Sequence, residues 1–264
     1  MKKPNPIKFF FDKLSPTYAQ KYSPRHPYLH YFFSQRLHLA TKGLDLRGKT
    51  ILDIGAGTGA LYDLLKKKDI AFDYYACDIS EGMLDNSSIP EEQRFVGEAP
   101  QIDWPVEAFD YIFALGLTTY LSAEQMEEHL DFIARKLRPG GRAVISFTNG
   151  HSVEIRLRRW LRPLVRRLFK RPGQVITQTF PTRAYGLKEA KHAFMAKNLY
   201  YCKKEWLLPS IPFVHHLSPI TSVRISRYIG KRKIFAPLLS LLSNEFILSL
   251  HVNGTKTENP KTGS

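Results

Sequence analysis

Between Lys49 and Phe147, short β-branched or aromatic runs alternate with stretches of helical periodicity. That alternation is the signature of parallel βαβ units, because two parallel neighbours are joined by a crossover long enough to hold a helix. Strands are expected at 50–54, 74–77, 94–96, 111–115 and 143–147. Ser122 with Gln125 forms a capping-box pattern that opens a helix, with Met126, Leu130, Ile133 and Leu137 at helical spacing and Pro139, Gly140 and Gly141 at its end.

Around this core the chain divides by composition. Residues 1–8 and 253–264 are polar, contain Pro or Gly and lack periodicity, so both are expected to be flexible ends of a single domain over 9–252. An aromatic-rich cap, 9–43, reads as a short helix and a longer one from Tyr28 to Lys42, with Gly43 as its C-terminal cap. The core at 48–150 is followed by a basic insertion and a further helix over 151–198. Residues 199–252 complete the domain, with strands expected at 199–203 and 245–252 and no assignment for the Pro-rich aliphatic segment between them. The two cysteines, Cys77 and Cys202, lack metal or redox spacing and read as free thiols. Lys2 and Lys3 precede only the brief apolar patch Phe9–Phe11, too short for a secretory signal, so a cytoplasmic protein is expected. Pro237, Asn244 and Glu245 interrupt the apolar stretch 234–252, which therefore reads as core and not as a membrane span.

Ile51-Leu52-Asp53-Ile54-Gly55-Ala56-Gly57-Thr58-Gly59 joins the first strand to a helix. Glycines there permit a tight turn and let a ligand approach bare amides at a helix N-terminus. Gly55, Gly57 and Ala60 also satisfy the dinucleotide pattern, so a nicotinamide or flavin enzyme stands as an alternative at this point. Asp53, two places before the first glycine, disfavours a pyrophosphate and suits a cationic amino group, as in S-adenosylmethionine. Asp78 ends the second strand, where a carboxylate accepts ribose hydroxyls in either cofactor class.

Together with CDIS and the following Met83, FVGEAPQIDWP, FDYIFALG and KLRPGGRAVISF, in that order, the chain resembles the class I S-adenosylmethionine-dependent methyltransferase family over residues 48–150. The resemblance implies an α/β, Rossmann-like fold: a seven-stranded, mostly parallel sheet with an antiparallel last strand and helices on both faces. Asn198 stands where the family usually has a glycine before the sixth strand. It further implies S-adenosylmethionine as cofactor, lined by Gly55, Ala56, Gly57 and Gly59, with Asp53 near the methionine part and Asp78 on the ribose. Ile79 and Met83 would flank the adenine, Glu98 and Ala99 its edge, and Leu115 and Gly116 the methionine and sulfonium. Tyr18 and Tyr22 are expected to lid the cofactor, as N-terminal aromatic segments do in similar methyltransferases.

Methyl transfer is a displacement at an already activated carbon, so alignment achieves much and a general base is optional. If one is used, the candidates are His151 after the fifth strand and Tyr120 after the fourth. No metal is expected: His26 and His30 lack an acidic third ligand, and His215 and His216 are adjacent and diverge.

The net charge of +15 is concentrated. Residues 151–171 hold eight Lys or Arg and one Glu, with an apolar stripe at helical spacing opposite the arginines and with Pro163 expected to kink or divide the helix. A solvated helix accounts for such a stretch, but Arg156, Arg158, Arg159, Arg162, Arg166 and Arg167 with Trp160 also suit an anionic membrane surface. The chain lacks the D/N-P-P-Y/F and Pro-Cys signatures of nucleic-acid methylases. The expectation is a methyltransferase acting on a small, hydrophobic or lipid-linked acceptor, peripheral on the inner face of a membrane. An RNA methyltransferase and a catalytically silent scaffold are the alternatives.

Overall fold

The computed structural model describes residues 5–168 and 182–252, without the side chains of 162–168. Two aromatic helices, α1 (Pro6–Lys21) and α2 (Pro27–Thr41), precede the sheet. Strands β1 (Thr50–Ile54), β2 (Asp73–Asp78), β3 (Arg94–Val96), β4 (Phe109–Ala114) and β5 (Leu137–Thr148) follow, interleaved with α3 (Ala60–Lys66), α4 (Glu81–Asp85) and α5 (Ala123–Lys136). After α6 (Val153–Leu168) and α7 (Leu187–Met195), β6 (Leu199–Pro209) leads through α8 (Val214–Leu217), α9 (Pro219–Lys231) and α10 (Leu239–Leu242) to β7 (Ser243–Val252). The seven strands form one sheet in the order β3-β2-β1-β4-β5-β7-β6. β1 to β5 pair in parallel, and β7 runs antiparallel to both β5 and β6. This is the Rossmann-like sheet that the resemblance implies.

Successive side chains of each strand enter opposite layers, as the pleat requires. Leu52, Ile54, Ile112, Ile145, Phe147 and Phe246 pack on one face, under α5 and α7; Ile51, Phe113, Val144 and Ile247 pack on the other, under α2 and α3. Burial on both faces is why the central strands read as nearly continuous apolar runs. The α5 capping box forms as expected, Ser122 Oγ accepting from Gln125 N and Gln125 Oε1 from Ser122 N. Asn198 takes the left-handed conformation at φ 56°.

Several elements depart from the expectations. The N-terminal helix starts at Pro6, because the Asn5 side chain accepts from the amides of Ile7 and Lys8; residues 5–8 are thus not a flexible end, and 1–4 and 253–264 lie outside the described residues. Proline does not divide α1 at Pro16 or α6 at Pro163: each removes a hydrogen bond that the flanking turns carry across. β5 begins at Leu137, directly after α5, through a bulge between Phe109 and Tyr111 of the partner strand. A Cβ on Gly141 would lie 2.6 Å from the Asp110 carbonyl oxygen, so this close approach requires glycine. β6 runs on to Pro209, past the expected end, because it pairs with β7 down to Pro209 opposite Ser243. The unassigned segment after it holds α8, α9 and α10. Among the described residues no helix is long and apolar enough to cross a membrane.

Phe147, fully buried, stacks on Phe246 at 5.3 Å and meets Tyr185 and Phe194 at 5.3 and 5.6 Å, joining β5, β7 and α7. Phe147→Ala is expected to cost roughly 3–5 kcal/mol of stability, read as a lowered midpoint in urea unfolding.

Candidate active site

A cavity of about 490 Å³ opens at the C-terminal ends of β1, β2 and β4, where parallel α/β sheets place their ligands. Gly55, Gly57 and Gly59 take φ values of 72°, 56° and 76°, a backbone that glycine adopts without a Cβ penalty. The amides of Gly55 and Ala56 donate to the Cys77 carbonyl at 2.8 and 3.0 Å. Asp78 accepts from Gly57 N on one carboxylate oxygen and from Ser80 N on the other, each at 2.9 Å. The glycine turn is therefore held by the end of β2. A Cβ on Gly57 would meet only Tyr18 Cε1, at 3.9 Å, so the loop presents bare backbone to the cavity with a single aromatic ring over it.

A buried carboxylate, Asp53, and a half-buried one, Asp78, stand in this wall. Asp53 Oδ2 accepts from the Tyr74 hydroxyl at 2.8 Å. Burial pushes its carboxyl up to about 7; the Tyr74 bond opposes that rise and the nearby Asp78 adds to it. No side-chain cation pairs with Asp53 among the described residues. A desolvated acid of this kind fits the cationic amino group of S-adenosylmethionine, which would supply the missing charge. Burial also raises Asp78, against the Ser80 and Gly57 amides that favour its charged form; its position suits ribose hydroxyls. Ile79, Met83, Glu98 and Ala99 line the same cavity, with Glu98 Oε1 accepting from Gln125 Nε2 at 2.9 Å.

Leu115 and Gly116 follow β4. Gly116 N donates to Ser146 Oγ at 2.8 Å, and a Cβ there would lie 2.9 Å from Arg36 Nη1. Arg36, from α2, donates through Nε to Glu245 Oε2 at 3.0 Å, with Nη2 at 3.0 Å from the same oxygen. Burial works against the guanidinium charge, but Glu245 and the phenols of Tyr22 and Tyr18 outweigh it and hold its pKa above the ordinary value. Aromatic rings complete this end: Tyr22 stacks on Phe33 at 4.4 Å, Tyr18 meets Tyr22 edge-on at 5.1 Å, and Phe11 meets Tyr120 edge-on at 5.2 Å. Arg159 and Arg183 also line the cavity, neither in an ion pair within 4 Å among the described residues.

The structure brings together Asp53, Gly55, Ala56, Gly57, Asp78, Ile79, Met83, Glu98, Ala99, Leu115, Gly116, Tyr18, Tyr22 and Tyr120. Two expected residues fall elsewhere. Gly59 caps α3 and faces Ser87 and Ile89, so it shapes the turn but does not line the cavity. His151 is exposed outside the cavity: Asn149 accepts from His151 N and donates to the Ser240 and Ser243 carbonyls, a turn that leaves the imidazole against Gly186. Burial pushes Tyr120 up to about 12, with the nearby Tyr22 adding to the rise, so its phenol holds its proton at neutral pH in this cavity. Sequence reasoning missed Arg36, Gln125, His129, Arg183 and Glu245. A charge standing in an otherwise apolar strand was the available signal for Glu245; Arg36 had none nearby, since its partner is 209 residues away.

The fold and this cleft define a class I S-adenosylmethionine-dependent methyltransferase. A family model described as "Methyltransferase domain" matches residues 25–185, and the chain belongs to that family. No curated protein sequence matches it. Solved structures share the fold at low identity. A SAM-dependent methyltransferase from Thermotoga maritima aligns with TM-score 0.61 and 13% identity, covering 93% of this chain and 99% of that one. Magnesium protoporphyrin IX methyltransferase from Synechocystis, with bound SAH, gives 0.59 and 13%, covering 93% and 98%. A Haemonchus contortus phosphoethanolamine N-methyltransferase gives 0.60 and 14%, covering 93% of this chain and 60% of that one. The cofactor is S-adenosylmethionine.

Two outcomes follow from the charges in the cavity. Folding raises the Asp53 pKa, so the native state holds that proton more tightly than the unfolded chain. Stability without cofactor should then fall as pH rises from 3.8 to about 7, by up to about 1.4 kcal/mol per pH unit. Asp53→Asn should flatten that part of the profile in denaturant titrations, while wild-type affinity for S-adenosylmethionine, measured by calorimetry, should climb over the same range. Glu245→Leu, which leaves Arg36 buried without its counter-charge, should cost roughly 3–5 kcal/mol, and adding Arg36→Leu should recover part of that loss in the same unfolding assay.

Proposed function

We propose that the protein is a cytoplasmic methyltransferase that moves a methyl group to a small, hydrophobic or lipid-linked acceptor by direct displacement. The observation that carries this reading is the aromatic end of the cavity beside Gly116, walled by Phe11, Tyr18, Tyr22, Phe33 and Tyr120. Such a wall excludes water and stabilises an apolar body by contact area. Bound S-adenosylmethionine supplies an activated methyl on a sulfonium. The chain's own contribution is to hold and orient. Asp53 anchors the amino end, the Gly55–Gly57 turn and Asp78 fix the ribose side, and the Arg36–Glu245 pair with Tyr120 presents polar edges that set the acceptor's approach. Because the methyl already sits on an activated carbon, alignment of acceptor, methyl and sulfur is the main contribution asked of the chain.

The structural neighbours support an acceptor of modest size: one is named for magnesium protoporphyrin IX, another is bound to phosphomonomethylethanolamine. The second holds a small acceptor on this fold in that protein.

Purified protein incubated with methyl-labelled S-adenosylmethionine and whole-cell extract should place label in the organic-soluble fraction, and Asp53→Ala should abolish it. Label in RNA would replace the acceptor class while keeping the cofactor. Cofactor binding without label in any fraction would make the protein a silent scaffold.

A further inference from the structure

No Asp or Glu stands between Glu205 and Glu245, although the segment carries Arg224, Arg227, Lys231, Arg232 and Lys233. On α9, Ile220, Arg224, Arg227, Tyr228 and Lys231 follow one another at i, i+4, i+7, i+8 and i+11, which places them on one helix face. All are exposed, while Ser222, Ser226 and Ile229 take the buried face. Two of them also touch the chain itself, Arg227 over the Tyr31 ring at 5.1 Å and Tyr228 edge-on to Phe235 at 6.1 Å, which leaves Ile220, Arg224 and Lys231 facing outward. Leu217 before α9 is 88% exposed, and Ile234 in the turn after it is 79% exposed. Exposed aliphatics gathered in one short module, unlike scattered single ones, mark a contact surface.

The start of α6 is fastened to this module. Glu154, buried, accepts from Ser210 Oγ at 2.7 Å and from Asn244 Nδ2 at 3.0 Å, and also pairs with Arg158. Val153, Arg156 and Trp160 then share an exposed face at i, i+3 and i+7, with Trp160 76% exposed. The opposite side of the same helix, through Ile155, Arg158 and Arg159, lines the cavity.

We infer that the outward faces of α6 and α9 form a docking surface for an anionic lipid membrane. Charge selects this occupant. A uniformly negative surface matches a face without carboxylates, whereas protein partners present both signs at their rims. Nucleic acid offers negative charge as well, and its bases can stack on Trp160, but it gives the aliphatic Ile220 and Ile234 no apolar phase to enter, while the headgroup–acyl boundary does. Docking stands apart from the acceptor assignment; only delivery of the acceptor from the leaflet rests on it.

The test uses the full chain with vesicles of phosphatidylcholine, alone or mixed with phosphatidylglycerol, at physiological salt. Wild-type protein should co-sediment with the mixed vesicles and not with phosphatidylcholine alone. The triple change Arg224→Glu, Lys231→Glu and Lys233→Glu should weaken partitioning roughly a hundredfold or more. Ile220→Ser with Ile234→Ser should weaken it at unchanged charge. Both variants should bind S-adenosylmethionine as the wild type does in calorimetry, which separates loss of docking from loss of fold or of cofactor function. Equal partitioning to both vesicle types, or undiminished binding by the charge-reversed variant, overturns the inference. So does retention on polyuridylate without vesicle binding, or a dimer in sedimentation velocity that the Ile220→Ser/Ile234→Ser variant dissociates.

Discussion

The Asp78 carboxylate accepts the Gly57 amide on one oxygen and the Ser80 amide on the other, and so binds the turn after β1 to the turn after β2. From Ser80 the connection continues outward, its hydroxyl donating to Asp12 Oδ1 of α1 at 2.7 Å. One line of hydrogen bonds thus runs from the glycine loop to the helix that covers it. Ser15 lies so close to Gly82 that a Cβ there would meet its hydroxyl at 2.8 Å, which lets α1 sit directly on α4. The position of Tyr18 over Gly57 follows from that docking. Glycine loop and covering helix are parts of one assembly.

Buried charge in the cavity is handled in two ways. Glu245 has its counter-charge built in, since Arg36 lies against it under the aromatic rings of Phe32 and Phe33, at 4.5 and 5.7 Å from their centres. Asp53 has only a phenol. A protein that satisfies one buried acid and leaves another without a cation stores in the second an affinity for a cationic ligand, because desolvation has already been imposed by folding. The same contrast divides the arginines: Arg36 and Arg158 are committed to Glu245 and Glu154, while Arg159 and Arg183 at the cavity form no ion pair within 4 Å among the described residues, Arg183 being near enough to Glu124 only to help lower its pKa.

Most of the glycine-loop side of the cavity is legible in the chain, because its determinants are local. The glycine turn, Asp53 at one strand end and Asp78 at the next each lie within a few residues of the backbone feature they serve, and short-range patterns are what a sequence displays. His151 lies outside the cavity for the same reason in reverse: proximity to a strand end does not say which way a turn points, and here Asn149 decides it through contacts to residues 240 and 243. β6 was read too short because its length is set by pairing with β7 and not by its own residues. Gly141 could be read as a helix stop, yet its smallness serves the bulge against Asp110. The acceptor end draws on α2, β7 and the residues after α6, brought together by the fold alone.

β7 enters the sheet between β5 and β6, not at its rim. During synthesis from the N-terminus, β6 emerges before the strand that must separate it from β5, so the last third of the sheet has no correct partner to join until the final strand arrives. Loop-closure entropy makes such long-range pairing slow. Glu245 arrives with that strand, and only then does Arg36, made early, meet its counter-charge. A growing chain therefore carries its glycine loop long before it owns a complete pocket, and assembly of the acceptor end coincides with closure of the whole domain.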